Sequence, residues 1–328
     1  MKPIETIGLG AGVVLATAGI GACGQALASR RDHDRYPPPG TLVDVGDHRL
    51  HVRVVGERGS SPTTILEAGI GSFSSNWAWV RDELARDGRV VSYDRAGLGW
   101  SERGAGSLDA GTAAEELHTA LQAADIRPPY LLAGHSYGGL VMRMFADKYR
   151  DEAAGLVLVD SSHPDQWEHI KASRGGRTVA LGNRTTALLA RLGLIRLIHG
   201  ERSFIAGLPP REYAEMRAYL ARPQGWSVAA DALLAWNRLS RHQVNATRSL
   251  GDLPLAVLSV TEQDKYADVL TRLQDELATL SSNCRHVTVE GATHYTLVSE
   301  QAHAAVVTAA VRAVAAAVRT GGPIPAFG

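Results

Sequence analysis

The sequence predicts an α/β fold, a mostly parallel sheet with helices on both faces and a helical cap inserted between two strands. Three observations lead there. Short, continuously apolar runs alternate with helical patterns from about residue 63 to 162, and again from 253 to 319. Strands of that kind are buried on both faces, as in a parallel sheet. Residues 163–252 break the alternation, with helical patterns such as "TTALLARLGLIRLIHG" and "WSVAADALLAWNRLS" and no convincing strand. The chain has 328 residues, 45% of them apolar and 21% charged, which suits one large domain carrying an insertion.

The elements follow in order. Residues 7–29, "IGLGAGVVLATAGIGACGQALAS", carry no charge, and Arg30 and Arg31 close them. The run is long enough to span a bilayer. It reads as an anchor helix, as a signal peptide cleaved after Ala26-Leu27-Ala28, or as a lipoprotein signal around Cys23. A buried soluble helix fits less well, because the run lacks a polar face. An anchor with more basic residues after it than before it would keep the main domain in the cytoplasm, and either signal would export it. The sequence leaves these open: residues 1–30 are an anchor or a signal. Residues 31–40, "RDHDRYPPPG", read as a linker stiffened by three prolines. The core then runs from 41 to 162 and from 253 to 319, the cap fills 163–252, and 320–328 form a flexible tail.

Within the core, "TLVDVGDHRLHVRVVG" alternates apolar and polar residues around a Gly-Asp turn and predicts a hairpin. Strands are predicted at 63–69, 89–97, 130–136, 153–162, 253–260 and 285–291. Helices are predicted over "SSNWAWVRDELARDG", over 108–126, over "YGGLVMRMFADKYRDE" and over the closing "SEQAHAAVVTAAVRAVAAAVRT".

Composition narrows the function. Net charge is zero, so no basic footprint points to nucleic acid. Two cysteines, Cys23 and Cys284, make neither a disulfide framework nor a zinc pattern. The 12 histidines include no pair at metal-ligand spacing, so no metal and no cofactor are expected. The oligomeric state is not legible.

The chemistry centres on "YLLAGHSYGGLVMRMFADKY", residues 130–149. A Gly-x-Ser-x-Gly alone is common. Here a strand ends at His135, Ser136 follows, and a helix begins at once. Gly134 and Gly138 permit a turn so tight that side chains at those positions would clash. A serine in such a strained turn lifts its Oγ above the sheet edge at a helix N-terminus, where negative charge is stabilised. The serine needs a base. "VEGATHYTLV" supplies His294 on a loop after the last strand. His135 is set aside because alternation along its strand turns it away from Ser136, and His163 is read as structural.

From about residue 41 to 319 the chain resembles an α/β-hydrolase of the capped, esterase-like type. The elbow "GHSYGG", the "SYDRAGLGWSE" after the fourth strand and the late "GATH" carry the likeness. The resemblance implies a Ser136, acid, His294 triad and an oxyanion hole of two backbone N–H groups. One belongs to Tyr137. The other is Ile70 by position, in "AGIG", where the family often has His-Gly-x. The acid stays open. Many relatives place it after the strand "PLAVLSV", where "SVTEQDKYAD" lacks the usual Gly and offers Asp264 one residue late. Others, as in haloalkane dehalogenases and some lipases, place it after the preceding strand, where "GLVLVDSSHPDQ" offers Asp160. Asp160 is the first choice and Asp264 the alternative.

A serine nucleophile excludes the aspartate chemistry of epoxide hydrolases and dehalogenases on the same scaffold. The expected reaction is hydrolysis of a small-molecule carboxylic ester with an apolar acyl or alcohol part, through an acyl-enzyme on Ser136. Trp226 and Trp236 of the cap are pocket-lining or core residues. Alternatives are a Ser-dependent C–C hydrolase, an acyltransferase or a cofactor-free haloperoxidase or perhydrolase, and beyond these a non-catalytic binder.

Overall fold

The computed structural model describes residues 3–57, 62–170, 175–198, 205–261 and 266–327, with side chains from residue 17 on. Helix α1 (Pro3–Arg35) precedes the hairpin β1 (Thr41–Asp44) and β2 (Arg49–Val55). Strand β3 (Thr63–Glu67) leads through a 3-10 turn at Ser74–Trp77 into α2 (Ala78–Leu84), then β4 (Val90–Tyr93) and α3 (Ala110–Ala123). Strand β5 (Tyr130–His135), α4 (Tyr137–Lys148) and β6 (Ala153–Val159) follow.

Between β6 and the next strand lie α5 (Gln166–His169), α6 (Gly175–Arg191), α7 (Leu194–Leu197), α8 (Pro210–Leu220), α9 (Pro223–Ala235), a π-helical turn at Trp236–Ser240, and α10 (Arg241–Asn245). Strand β7 (Leu255–Val260), α11 (Ala267–Ala278), β8 (Cys284–Val289), α12 (Thr296–Ser299) and α13 (Gln301–Thr320) complete the order.

Among the described residues the strands make one sheet, ordered β1-β2-β4-β3-β5-β6-β7-β8. The pairs β1–β2 and β2–β4 are antiparallel and all the others parallel. Every residue of β3, β4, β5 and β7 is buried, which is why these strands read as continuous apolar runs. Successive side chains feed opposite cores. Leu132, Leu156 and Leu158 join Leu117, Leu140 and Phe145 of α3 and α4. Leu131, Val157 and Val159 join Trp77 and Leu84 on one side and Val307, Val311 and Val314 of α13 on the other.

Among the described residues one helix is long and apolar enough to cross a membrane, Gln301–Thr320. Its Val307, Val311 and Val314 are buried against the sheet, so it serves as a core helix.

The cap is tied to the core by polar bonds as well as packing. Arg81, fully buried on α2, reaches Glu212 of α8 at 3.0 Å, and Ser75 Oγ donates to Glu215 at 2.7 Å. Ser240 Oγ accepts the Ala110 N–H at the start of α3 at 2.9 Å and lies 3.0 Å from the Tyr137 hydroxyl. His163, at the cap's first turn, accepts the Asp165 N–H on Nδ1 and faces Glu276 with Nε2 at 3.5 Å, a structural role.

Two boundaries and one element differ from expectation. The 31–40 linker is helical as far as Arg35, because α1 continues until Pro37, Pro38 and Pro39 forbid it. The 320–328 tail is anchored: Ile324 is buried, its N–H donates to Asn283 Oδ1, and Asn283 Nδ2 donates to Gly322 O at 3.1 Å. Helix α11 forms in a stretch where no element was expected.

Candidate active site

Ser136 sits between β5 and α4 with φ 56° and ψ −125°, a backbone that L-residues rarely adopt. The surroundings enforce it. The Ser136 N–H donates to Val159 O at 3.1 Å, and its carbonyl accepts from Gly139 and Ser162, each at 3.0 Å. A Cβ on Gly134 would stand 2.6 Å from Gly138 O, and one on Gly138 would stand 2.6 Å from Glu67 O. The turn therefore closes only with glycine at both positions.

The base and the acid arrive from two other strand ends. His294 follows β8, and its Nε2 lies 3.0 Å from Ser136 Oγ. Its Nδ1 lies 2.5 Å from Asp160 Oδ2. Asp160 directly follows β6 at φ 40°, is buried, and is fixed by its own N–H to Leu258 O. The structure thus brings Ser136, His294 and Asp160 into one chain of contacts. Asp264 lies outside the described residues.

The loop after β3 passes directly over the serine, and a Cβ on Gly69 would stand 3.2 Å from Ser136 Cβ. Arg95 holds this loop from beneath. Buried and paired with Glu67, it donates to the carbonyls of Ala68 and Gly69, each at 2.6 Å. Glu67 also accepts from the Tyr93 hydroxyl. Burial pushes the Glu67 carboxyl above its ordinary range, and the Arg95 charge opposes that push. Tyr137 N–H is the first of α4, where helical N–H groups have no partner within the helix.

His135 corrects a sequence expectation. It does not turn away. Its Nε2 donates to the carbonyl of His294 at 2.8 Å, the two rings are 4.7 Å apart, and it borders the same cavity as Ser136. Alternation fails because Ser136 has left the strand conformation. Burial, and the neighbouring His294, lower the His135 pKa to about 3, so the ring is neutral.

A cavity of about 540 Å³ opens over Ser136, within the size range of small-molecule sites. The cap supplies Met216, Tyr219, Leu220, Trp226, Leu233 and Trp236, with Val179 and Asn183 from α6. The three cap tryptophans, Trp167, Trp226 and Trp236, line it, and Trp236 is also core, packed on Tyr137 and Trp167. The core side adds Ile70, Asn76 and Gln274. Gln274 was not singled out by the sequence. Its Nε2 donates to Ser161 O at 2.8 Å, which fixes the amide, and its buried Oε1 has no partner among the described residues. Among the described residues no cluster of three His, Cys, Asp or Glu side chains could hold a metal ion.

A profile of the Alpha/beta hydrolase family matches residues 65–310. The chain belongs to that family. Solved structures agree on the fold of this chain. The lipase candidate lip1 of Acinetobacter baumannii AYE superposes with a TM-score of 0.65 at 21% identity, over 90% of this chain and 97% of that one. An esterase from Thermogutta terrifontis gives 0.58 at 22% identity, over 83% and 94%. An epoxide hydrolase from Bacillus megaterium gives 0.62 at 14% identity, over 84% and 99%. Among curated relatives, YqjL of Bacillus subtilis strain 168 is 37% identical over 109 residues, 33% of this chain and 43% of that protein. YbdG of the same strain is 28% identical over 159 residues, 48% of each. The chain thus spans less than half the length of these curated relatives.

Proposed function

We propose that this hydrolase cleaves a carboxylic ester through an acyl-enzyme on Ser136. His294 takes the Ser136 proton as Oγ attacks the carbonyl carbon, and Asp160 holds His294 in the tautomer that leaves Nε2 free to accept. The tetrahedral oxyanion is bound by the Ile70 and Tyr137 N–H groups. His294 then protonates the leaving alcohol. It next activates a water that releases the acid and restores the serine.

The observation that carries this reading is the Oγ–Nε2 distance of 3.0 Å at one end of His294 and the Nδ1–Oδ2 distance of 2.5 Å at the other, on a strained serine beneath a cavity. Arg95 supports the oxyanion assignment. With the Gly69 carbonyl turned to Arg95, a planar trans peptide sends the Ile70 N–H to the opposite side. A serine at this turn also disfavours the aspartate-nucleophile chemistry of epoxide hydrolases. The mostly apolar cap lining favours an ester with an apolar acyl or alcohol part. The uncharged run 7–29 supports attachment to a membrane.

The test is hydrolysis of p-nitrophenyl esters of graded acyl length. Ser136→Ala should lose at least about 10⁴-fold in kcat, and Asp160→Asn roughly 10³–10⁴-fold. Asp264→Asn should leave the rate near that of the unmodified enzyme. An equal loss in Asp264→Asn and none in Asp160→Asn would reassign the acid.

A further inference from the structure

Eleven large apolar side chains are exposed among the described residues; seven of them sit on α1, α6 and α7, and Ile198 directly follows α7. They include Ile20, Leu27, Leu181, Leu188, Leu197 and Ile198, at 55 to 75% exposure. The three helices are joined. Gly21 of α1 lies against the Leu192 carbonyl, Arg196 Nε donates to Gln25 at 3.1 Å, and Arg196 pairs with Asp32 at 2.7 Å. Gln25 Nε2 in turn donates to Ala221 O of the cap at 2.9 Å. One side of α1 is thereby held by the protein, and its outer side, uncharged from Thr17 to Ser29, is left facing out.

The charge carried by α6 and α7 has one sign. Residues 175–198 contain Arg177, Arg184, Arg191 and Arg196 and no acidic residue. Arg184 and Arg196 are paired with Asp231 and Asp32, whereas Arg177 and Arg191 stand exposed on α6. On α6 the series Leu181, Arg184, Leu188, Arg191 falls at spacings of three and four, so apolar and basic side chains share one face.

We infer that α6, α7 and the outer side of α1 form a surface that lies on an anionic lipid bilayer, with the leucines entering the acyl boundary and the arginines meeting lipid phosphates. A second copy of this chain fits the surface poorly, because a two-fold contact would set arginine against arginine. The geometry also selects lying over crossing. The cap holds α1 from Gly21 on, which leaves residues 7–20 of the uncharged run, about 21 Å of helix against a hydrocarbon core of about 30 Å.

The consequence deepens the esterase reading and rests on it. Val179 and Asn183 of α6 line the cavity over Ser136, and Val179 is itself 45% exposed. The wall of the pocket is thus the helix that meets the lipid, and the substrate class is an ester dissolved in the membrane.

The test uses the full chain and vesicles of phosphatidylcholine with or without phosphatidylglycerol. The unmodified protein and Ser136→Ala should cosediment equally, and phosphatidylglycerol should raise the bound fraction. The triple variant Leu181→Asp, Leu188→Asp, Leu197→Asp should bind roughly tenfold more weakly or less, with its melting temperature and its turnover of a water-soluble acetyl ester unchanged. Arg177→Gln with Arg191→Gln should lose the phosphatidylglycerol-dependent gain, about fivefold per arginine. Triple-variant binding equal to that of the unmodified protein would overturn the inference, as would self-association without vesicle binding. Because Ser136→Ala must still bind, loss of the esterase reading and loss of this surface are separate outcomes.

Discussion

The site turns on a few residues whose backbones or partners are forced. Ser136 at φ 56° is the plainest, since Gly134 and Gly138 leave the turn no alternative. Gly138→Ala should therefore abolish folding or activity rather than trim it, which soluble yield and ester turnover would show. Arg95 is the second. It is the buried partner of Glu67 and the clamp on the Gly69 carbonyl. Arg95→Leu should lower stability by about 3 kcal/mol, because it leaves a buried carboxyl without its cation. It should lower kcat more than it raises KM, because the loop it frees carries the proposed oxyanion donor. Denaturant titration and steady-state kinetics check the two halves. The elbow was legible in the sequence because its strain demands glycines at fixed offsets. Arg95 was visible only as part of "SYDRAGLGW", since its partners come from a strand 28 positions earlier and no local rule pairs them.

At the scale of elements, the sheet was readable wherever a strand is buried on both faces. Strands β3, β4, β5, β6 and β7 all fall inside the runs predicted for them. What escaped was decided by tertiary contact. Helix α11 forms beside a loop that lacks turn signals, and Leu273, Leu277 and Gln274 define its inner face only once β7 and the cap are in place. The side of the chain to which His135 turns could not be read from alternation, because the turn at Ser136 breaks the period of two. The cap was legible as a helical insertion but not as a wall. Trp236 joins both roles, with its indole N–H given to Pro164 O at 3.1 Å and its face on Tyr137. Trp236→Ala should cost about 3–5 kcal/mol. It should also enlarge the cavity and shift the preferred acyl chain towards longer esters, which melting curves and the chain-length profile would report.

At the scale of the whole molecule, a buried histidine and a half-buried glutamate set opposing pH responses. His135, at about 3 in the folded state against 6.5 unfolded, contributes stability that is complete above pH 6.5 and is lost as pH falls towards 3. Burial, partly opposed by His48, raises Glu116 to about 7 from 4.5, so its contribution declines as pH rises from 4.5 to 7. The two slopes oppose each other, so the net profile conceals both. The difference between proteins separates them. Between pH 7 and pH 5 the unmodified chain should lose about 2 kcal/mol more than His135→Gln, whose amide can still donate to His294 O. An identical loss in both would place the His135 proton elsewhere. The bond formed on Ser136 beneath this cap decides the chemistry. The most direct measurement is rapid acid quenching during turnover of p-nitrophenyl butyrate, followed by mass spectrometry of the peptide that contains Ser136. A butyryl adduct should appear on that serine and be absent in Ser136→Ala; this is the result expected of an acyl-enzyme. Steady turnover with no acyl adduct on Ser136 at any quench time would contradict it.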